Sequence, residues 1–417
     1  MSDAYIILLD RIRALETQVA QFQKMEIDNP IPRVTNPLLY CRFDGDYPYN
    51  TDFTGSAYGW NSETPTNSSA IFRPGKFGKA AQIAEATTNL ITNPSFEIDT
   101  TGWTKTEAEA SITSSTDWAY TGSHSCKMYG GTGSGAMLTS TFTVANGSSV
   151  TASIVAFAST SGLSASISIV KSDWTFLTGS GNVPISANAP TGLSITYTNN
   201  TGSTVTYFVL VIGPGTGQTL YVDSAQLEDK DHATPYCDGS LGVGHSWSGT
   251  DHASTSSRTD QSLIYPATSV GAQNSTGTIG GWFKFTKHGE SVFWSGGTGY
   301  LQCFSTSSDA YLVVAFKDIS NPIVVAWTPD DETWYQIAVT WNASGIKLYL
   351  DGDLVGTYAG SMASIDMSGD LRIGEYSSAL AKLNGVADDF IVLDYELTTT
   401  QIKAYYDSGM SWNVRMI

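Results

Sequence analysis

The sequence predicts an all-β protein preceded by one short helix, and composition and periodicity carry that prediction. Its 40 glycines and 14 prolines are typical of short strands joined by turns. Beyond residue 37 the apolar residues fall in short alternating runs, whereas residues 4–25 repeat with a mean spacing of 3.5. With 41% hydrophobic and only 14% charged residues, the 417-residue chain can bury two or three cores, which excludes a disordered acidic protein.

Residues 1–29 predict a coiled-coil helix that assembles the chain into a homo-oligomer. Arg11 at a g position and Glu16 at the next e position would pair between neighbouring chains. The number of chains stays open, with a trimer among the options, and the alternative is a single amphipathic helix packed on its own domain. Pro30 and Pro32 end the helix. The apolar seam consists of Tyr5, Leu8, Ile12, Leu15, Val19 and Phe22.

Charge and cysteine usage limit the partners. The net charge of -18 repels phosphate backbones and anionic lipid, so nucleic acid and membrane insertion are not expected. The apolar run over residues 5–9 is too short for a signal-peptide core or a membrane span. The cysteines form no CxxC pair, so we expect buried thiols rather than a zinc site. They are Cys41, Cys126, Cys237 and Cys303.

Several C-terminal segments resemble landmarks of the laminin-G-like, concanavalin A-like jelly rolls, and they occur in the order of that family. Residues 398–406 resemble the family's small terminal helix, with Thr398 as its N-cap. The resemblance implies a jelly roll built from residues 37–87 and 236–410. The matching segments are 74–81, 334–341, 346–352, 371–374 and 383–392.

A second resemblance lies between those two parts. Residues 89–97, with Thr101-Gly102-Trp103 after them, resemble the opening of β-sandwich carbohydrate-binding modules, and residues 219–228 resemble their closing strand. The expected architecture is therefore two β-sandwich (jelly-roll) domains, one inserted in the other. Three domains in series remain the alternative. The expected divisions are the helix (1–29), a linker and first jelly-roll part (30–87), the inserted module (88–235) and the remaining jelly roll (236–417).

Three strings near the end of the inserted module resemble tail and fibre proteins of bacteriophages. They are ATPYCDG at 233–239, SWSGT at 246–250 and ASTSSRT at 253–259. This resemblance implies a virion appendage, such as a tail or head fibre, which is extracellular after host lysis. The N-terminus would contact other virion proteins, and the sandwiches would bind glycans of the host surface. The alternative is a structural decoration or connector protein without sugar binding.

Aromatic side chains are the candidate sugar contacts, since sugar rings stack their CH faces on flat apolar surfaces. Trp118 and Tyr120 alternate among small polar residues and are expected on one face, and Trp174 lies near a predicted strand end. Trp103 is a fourth candidate, with a core position as its alternative. Glu97 and Asp223 match acids that hold a structural Ca²⁺ in modules resembling this one, so a structural calcium ion is the candidate cofactor; the alternative is that no cofactor is bound and Glu97 is an ordinary solvated residue.

The sequence does not predict an enzyme. Hydrolases of the jelly-roll fold carry closely alternating acids on one strand, and a glycosidase needs two such carboxylates. The acid clusters Asp330-Asp331-Glu332 and Asp388-Asp389 lack that alternation, and the first is expected in a solvated turn. A host-envelope glycoside hydrolase is therefore the least favoured function.

Overall fold

The computed structural model describes residues 34–35, 39–41, 43, 71–131, 135–265, 273–296, 301–306, 308–316, 319–360, 365–366, 369–376, 381–409 and 414–415. The predicted coiled coil, including Arg11, Glu16 and the seam from Tyr5 to Phe22, lies outside these residues. Within them the chain is almost entirely β, as the sequence predicts. In the part of the chain that the structure describes, no helix has the length and hydropathy needed to cross a bilayer.

Two pairs of sheets form two sandwiches. The first sandwich contains every strand from β6 to β17. Five short strands precede it: β1 (Val34–Thr35), β2 (Leu39–Cys41), β3 (Phe72–Pro74), β4 (Lys79–Ile83) and β5 (Thr87–Asn89). Its own strands are β6 (Trp103–Lys105), β7 (Ser111–Ser115), β8 (Ser125–Tyr129), β9 (Ala136–Thr139), β10 (Phe142–Val144), β11 (Ser149–Phe157), β12 (Leu163–Lys171), β13 (Phe176–Gly179), β14 (Val183–Ile185), β15 (Thr191–Thr198), β16 (Val205–Ile212) and β17 (Thr219–Glu228).

The first sandwich closes around one apolar core. One sheet has the order β15-β11-β17-β8-β7; the facing sheet has the order β13-β12-β16-β9-β6, with β10 on β16 and β14 on β12. Strands β11, β12 and β16 alternate between core and outer positions, which is the pattern of a sheet with one face covered. Ile154, Ile167 and Val209 are among the core residues. Each such side chain contributes about 1.5–3 kcal/mol by burial.

The remaining strands follow the first sandwich. They are β18 (His245–Trp247), β19 (Ser256–Arg258), β20 (Leu263–Tyr265), β21 (Gln273–Asn274), β22 (Gly277–Phe285), β23 (Val292–Gly296), β24 (Leu301–Ser305), β25 (Tyr311–Phe316), β26 (Ile319–Ala326), β27 (Trp334–Asn342), β28 (Gly345–Leu350), β29 (Asp353–Ala359), β30 (Ile365–Asp366), β31 (Leu371–Ile373), β32 (Gly385–Leu393) and β33 (Val414–Arg415), and the helix α1 (Thr399–Ser408) lies between the last two.

The second sandwich is built from both ends of the described chain. Its larger sheet has the order β29-β28-β27-β22-β32-β4-β3, with β2 on β32, and its other sheet has the order β20-β31-β23-β24-β25-β26. Strands β2 to β4 thus share a sheet with β32, although the whole first sandwich separates them in the sequence. The aromatic core includes Phe283, Trp294 and Phe390. The domain limits at 87/88 and 235/236 stay a prediction.

Local signals in the second sandwich behave as predicted. The β28–β29 hairpin turns at Asp351 and Gly352, both with positive φ, which a two-residue type I′ turn requires. Thr398 caps α1 and forms a capping box with Gln401. Gly409 ends the helix in the left-handed conformation. All four cysteines are free and buried.

A three-stranded sheet with the order β18-β19-β5 joins the two sandwiches. Its centre is Arg258, a guanidinium that is only 2% exposed. Arg258 donates hydrogen bonds to the carbonyl oxygens of Glu85 and Pro235 and to the Thr234 hydroxyl. Glu85 precedes the first sandwich and the other two acceptors follow it, so this one side chain ties its incoming and outgoing segments together.

His245 in the same junction predicts a loss of stability in acid. Burial, together with the positive charges of Arg258 and Arg73, lowers the pKa of His245 from 6.5 to about 4. Its Nε2 atom is buried and has no hydrogen-bond partner among the described residues. Between these two pH values the unfolded chain binds a proton that the folded chain does not, so acidification favours unfolding.

We therefore expect the melting temperature of the wild-type chain to fall between pH 6.5 and pH 4, and His245→Gln to reduce that fall. His252→Gln is the matched control, since His252 lies in the β18–β19 loop, where its ring nitrogens face the hydroxyls of Ser95 and Ser240. An identical pH profile for the wild-type chain and His245→Gln would show that His245 contributes nothing.

Candidate functional site

The outer face of the five-stranded sheet in the first sandwich carries an aligned row of large side chains. Phe157 on β11 pairs with Tyr221 on β17, and Tyr221 pairs in turn with Lys127 on β8. The residues next to them, Ala156 and Val222, are fully buried in the core. Because side chains alternate along a strand, Phe157, Tyr221 and Lys127 point away from the core, toward solvent.

Trp118 adds a third ring from the loop between β7 and β8. It stacks on Phe157 with ring centroids 4.7 Å apart and planes 6° from parallel, and its centroid lies 6.4 Å from that of Tyr221. All three rings are partly exposed. We call Trp118, Phe157 and Tyr221 the aromatic platform. Ring pairs of this kind add about 0.5–1.5 kcal/mol beyond the area they bury, so each ring holds its neighbours in place.

A charged pair borders the platform. The Lys127 ammonium donates to the Asp117 carboxylate at 2.6 Å, and the Tyr221 hydroxyl donates to the same oxygen at 3.1 Å. The hydrogen bond from Lys127 lowers the pKa of Asp117, and the same contact raises the pKa of Lys127. Both groups therefore stay charged at neutral pH. Apolar rings thus lie beside a donor and an acceptor that are about half exposed.

Two family matches fall on different parts of the chain, one on the first sandwich and one on the second. Residues 88–216 match a family described as carbohydrate binding domain. Residues 248–403 match the concanavalin A-like lectin/glucanases superfamily. The chain contains a carbohydrate-binding-module domain and a laminin-G-like domain. The first sandwich holds the carbohydrate-binding-domain match, which ends before β17, and the second sandwich holds the laminin-G-like match. No curated protein matches the chain.

Solved structures with partial likeness include carbohydrate-binding modules and a pentraxin. A xylan-binding CBM22 domain from Paenibacillus barcinonensis is 16% identical, covering 37% of this chain and all of its own, with a TM-score of 0.28. The CBM40 of a Ruminococcus gnavus sialidase, bound to sialyllactose, is 14% identical, covering 32% and 83%, with a TM-score of 0.28. A SAP-like pentraxin from Limulus polyphemus is 18% identical, covering 35% and 75%, with a TM-score of 0.31. Scores this low support no conclusion about function.

The four aromatic candidates from the sequence lie in different places. Trp118 is in the platform, and Tyr120 is 48% exposed in the same β7–β8 loop. Trp103 is a core residue: it is 6% exposed, and its indole N–H donates to the Asn93 carbonyl. A sugar therefore cannot stack on Trp103.

Trp174 belongs to the opposite sheet of the carbohydrate-binding module. It occupies the β12–β13 turn with a positive φ, is 59% exposed, and packs edge-on against Phe208 at 5.0 Å. Phe208 points outward, because its neighbours Tyr207 and Val209 belong to the core. The structure therefore does not bring Trp174 and Trp118 to one surface.

The sequence reasoning missed Phe157, Tyr221, Lys127 and Asp117. Phe157 and Tyr221 stand at outward positions of strands whose other outward residues are mostly small or polar. An aromatic residue at an outward position of an alternating strand is the signal that could have identified each of them. Their pairing across β11 and β17 is a property of sheet register that the sequence alone does not give.

The two predicted calcium ligands hold one loop of the carbohydrate-binding module. Asp223 accepts hydrogen bonds from the backbone N–H groups of Tyr120 and Thr121 at 2.7 and 2.9 Å. Glu97 accepts from those of Ser123 and His124 at 2.7 and 3.0 Å. Burial raises the pKa of Asp223 to about 7, and the negative charge of Glu97 contributes to the rise.

Glu97 and Asp223 offer carboxylate oxygens, which are the type of ligand that a hard cation such as Ca²⁺ prefers. At Gly122 a Cβ atom would lie 2.0 Å from the Glu97 carboxylate, so the backbone of this loop makes a close cradle for it. Glu97, near the start of the module, and Asp223, on its last strand β17, would be the side chains that hold a Ca²⁺. The ion would offset their negative charges and link the two ends of the module. Calcium takes six to eight oxygens, so most ligands would be main-chain carbonyls and water.

The acidic clusters in the second sandwich serve structural roles. Asp330, Asp331 and Glu332 are exposed in a turn, as predicted. Asp389 is fully buried and accepts hydrogen bonds from the hydroxyls of Tyr40 and Tyr405.

Proposed function

We propose that the protein binds glycans, without cleaving them, on the aromatic platform of the first sandwich. The observation that carries the proposal is the set of three partly exposed rings beside the Lys127–Asp117 pair. The apolar CH face of a sugar packs on Trp118 and Tyr221, while its hydroxyls exchange hydrogen bonds with Lys127 and Asp117. The match of residues 88–216 to a carbohydrate-binding family supports this assignment.

We propose further that the protein is a bacteriophage virion appendage, located on the virion and released with it on host lysis, whose target is a glycan or other polymer of the host surface. The junction strings and the heptads of residues 1–29 support this part of the proposal. A homo-oligomer would present several platforms at once, and linked weak sites reach avidities far above that of one site. An image of an intact particle that locates the protein tests the placement, and the mass of the full chain in solution tests the oligomer.

Binding of the full chain to arrayed bacterial polysaccharides, and to host cells, tests the glycan proposal. We expect binding that free oligosaccharide competes away. If the oligomer binds no polysaccharide and no cell, the glycan proposal fails and the structural role of a connector or decoration protein takes its place.

Calcium between Glu97 and Asp223 is a separate proposal with its own expected result. If the ion links the two ends of the module, EDTA lowers the melting temperature of the wild-type chain and added Ca²⁺ restores it. Glu97→Gln should lose the part of this response that added Ca²⁺ restores, which distinguishes it from the removal of a transition-metal ion by EDTA. A melting temperature that EDTA leaves unchanged would remove both residues from the list of metal ligands.

A further inference from the structure

Three metal-ligating side chains meet at the junction between the sandwiches, away from the aromatic platform. Ligand atoms of Glu85, His232 and His288 all lie within 4.8 Å of one another. They come from three separate segments: Glu85 follows β4, His232 follows β17, and His288 is in the loop between β22 and β23. The cluster thus contains both connections of the first sandwich and one loop of the second.

The donor atoms face one another directly. His232 Nε2 lies 2.8 Å from Glu85 Oε1, and the two imidazole rings are 4.7 Å apart between centroids. All three residues are partly buried, and Glu85 and His232 also line an open groove on the first sandwich. An ion can therefore reach the cluster from solvent.

In both histidines a hydrogen bond at Nδ1 fixes the orientation of the ring and leaves Nε2 facing the cluster. His288 Nδ1 lies 3.0 Å from the Thr286 carbonyl, which can only accept, so Nδ1 carries the hydrogen and Nε2 the lone pair. His232 Nδ1 lies 2.8 Å from the Asp231 carboxylate, which orients it in the same way. Metal-bound histidines almost always donate their other N–H to a carboxylate or a carbonyl.

The surrounding charges favour a divalent cation. Lys230 donates to Glu85 Oε2, and Asn384 donates to Oε1, so the carboxylate is held from two sides. The carboxylates of Glu85 and Asp231 together with the Lys230 ammonium sum to one negative charge when both histidines are neutral. A divalent ion leaves that group with a single positive charge, which a partly solvated site tolerates.

We propose that Glu85, His232 and His288 bind a divalent transition-metal ion of the zinc class, which clamps the first sandwich to the second. Two imidazole nitrogens and one carboxylate oxygen suit zinc, whereas calcium takes oxygen ligands. Ligands of a tetrahedral zinc lie about 3.4 Å apart, so the His232–Glu85 contact widens by roughly 0.6 Å as the ion replaces the proton between them. The fourth position is left to water.

Titration of the chelator-stripped full chain with zinc chloride tests the site by calorimetry and by melting temperature. Cobalt chloride, followed by visible absorption, reports nitrogen and oxygen coordination directly. We expect one zinc ion per chain and a higher melting temperature with zinc, while calcium chloride does not compete. Glycan binding stays unchanged in the metal-site variants, which separates this result from the proposed function.

His288→Gln is the decisive variant, because the Glu85 carboxylate keeps its bonds to Lys230, His232 and Asn384 without the His288 ring. We expect its zinc affinity to fall by more than about tenfold, with His252→Gln binding as the wild type does. Glu85→Gln is the second variant if His288→Gln does not fold. No zinc binding by the wild-type chain, or unchanged affinity in the folded variant, would overturn the proposal.

Discussion

Trp118→Ala is expected to weaken glycan binding by about tenfold or more, which is ~1.4 kcal/mol or more of binding free energy. The change removes the ring that stacks on Phe157, so it also frees the Phe157 ring to move. Both effects reduce the preorganised flat surface on which a sugar would pack. Affinity measured by calorimetry or glycan array with the full chain checks the expectation.

Trp174→Ala is the informative comparison for Trp118→Ala. It removes the same side chain from an exposed position on the opposite sheet of the same domain. The platform proposal expects it to bind glycans as the wild type does. A loss of binding in Trp174→Ala with none in Trp118→Ala would move the site to the other face. Tyr221→Phe, which keeps the ring and removes only the hydroxyl, should cost less than Trp118→Ala.

Arg258→Ala is expected to destabilise the protein by about 3–5 kcal/mol, the largest stability effect that we predict for a single substitution. The change leaves the partly buried carbonyls of Glu85 and Pro235 and the buried Thr234 hydroxyl without their donor. It also removes the positive charge near the fully buried carboxylate of Glu228. Denaturant unfolding of the full chain measures the change.

Arg258→Lys provides the control for charge. Lysine keeps the positive charge but cannot reach three acceptors with a planar fork, so we expect it to recover only part of the lost stability. If Arg258→Ala unfolds at the same denaturant concentration as the wild type, the junction does not depend on this side chain.

Local features of the fold could be predicted because short stretches of sequence determine them. The capping box of Thr398 and Gln401 and the hairpin at Asp351-Gly352 depend only on residues within a few positions, and the structure has both. The all-β class follows similarly from alternation along each strand. The helical heptads of residues 1–29 stay a prediction.

Features that depend on distant pairing could not be predicted in the same way. The aromatic platform exists only because β11 lies beside β17 in a register that places Phe157 opposite Tyr221. The sequence left Trp103 between a sugar contact and a core position, and its N–H bond to Asn93 and its contact with Phe96 place it in the core. Register and burial are decided by the whole sheet rather than by a short motif.

The first sandwich is attached to the second through both of its chain ends, which meet in the sheet of β5, β18 and β19. A tensile force applied at the platform is therefore divided between two covalent tethers acting in parallel, and the doubled attachment resists torsion about either one. The first sandwich therefore keeps its orientation relative to the second under load, whereas a domain attached through a single linker could rotate about it.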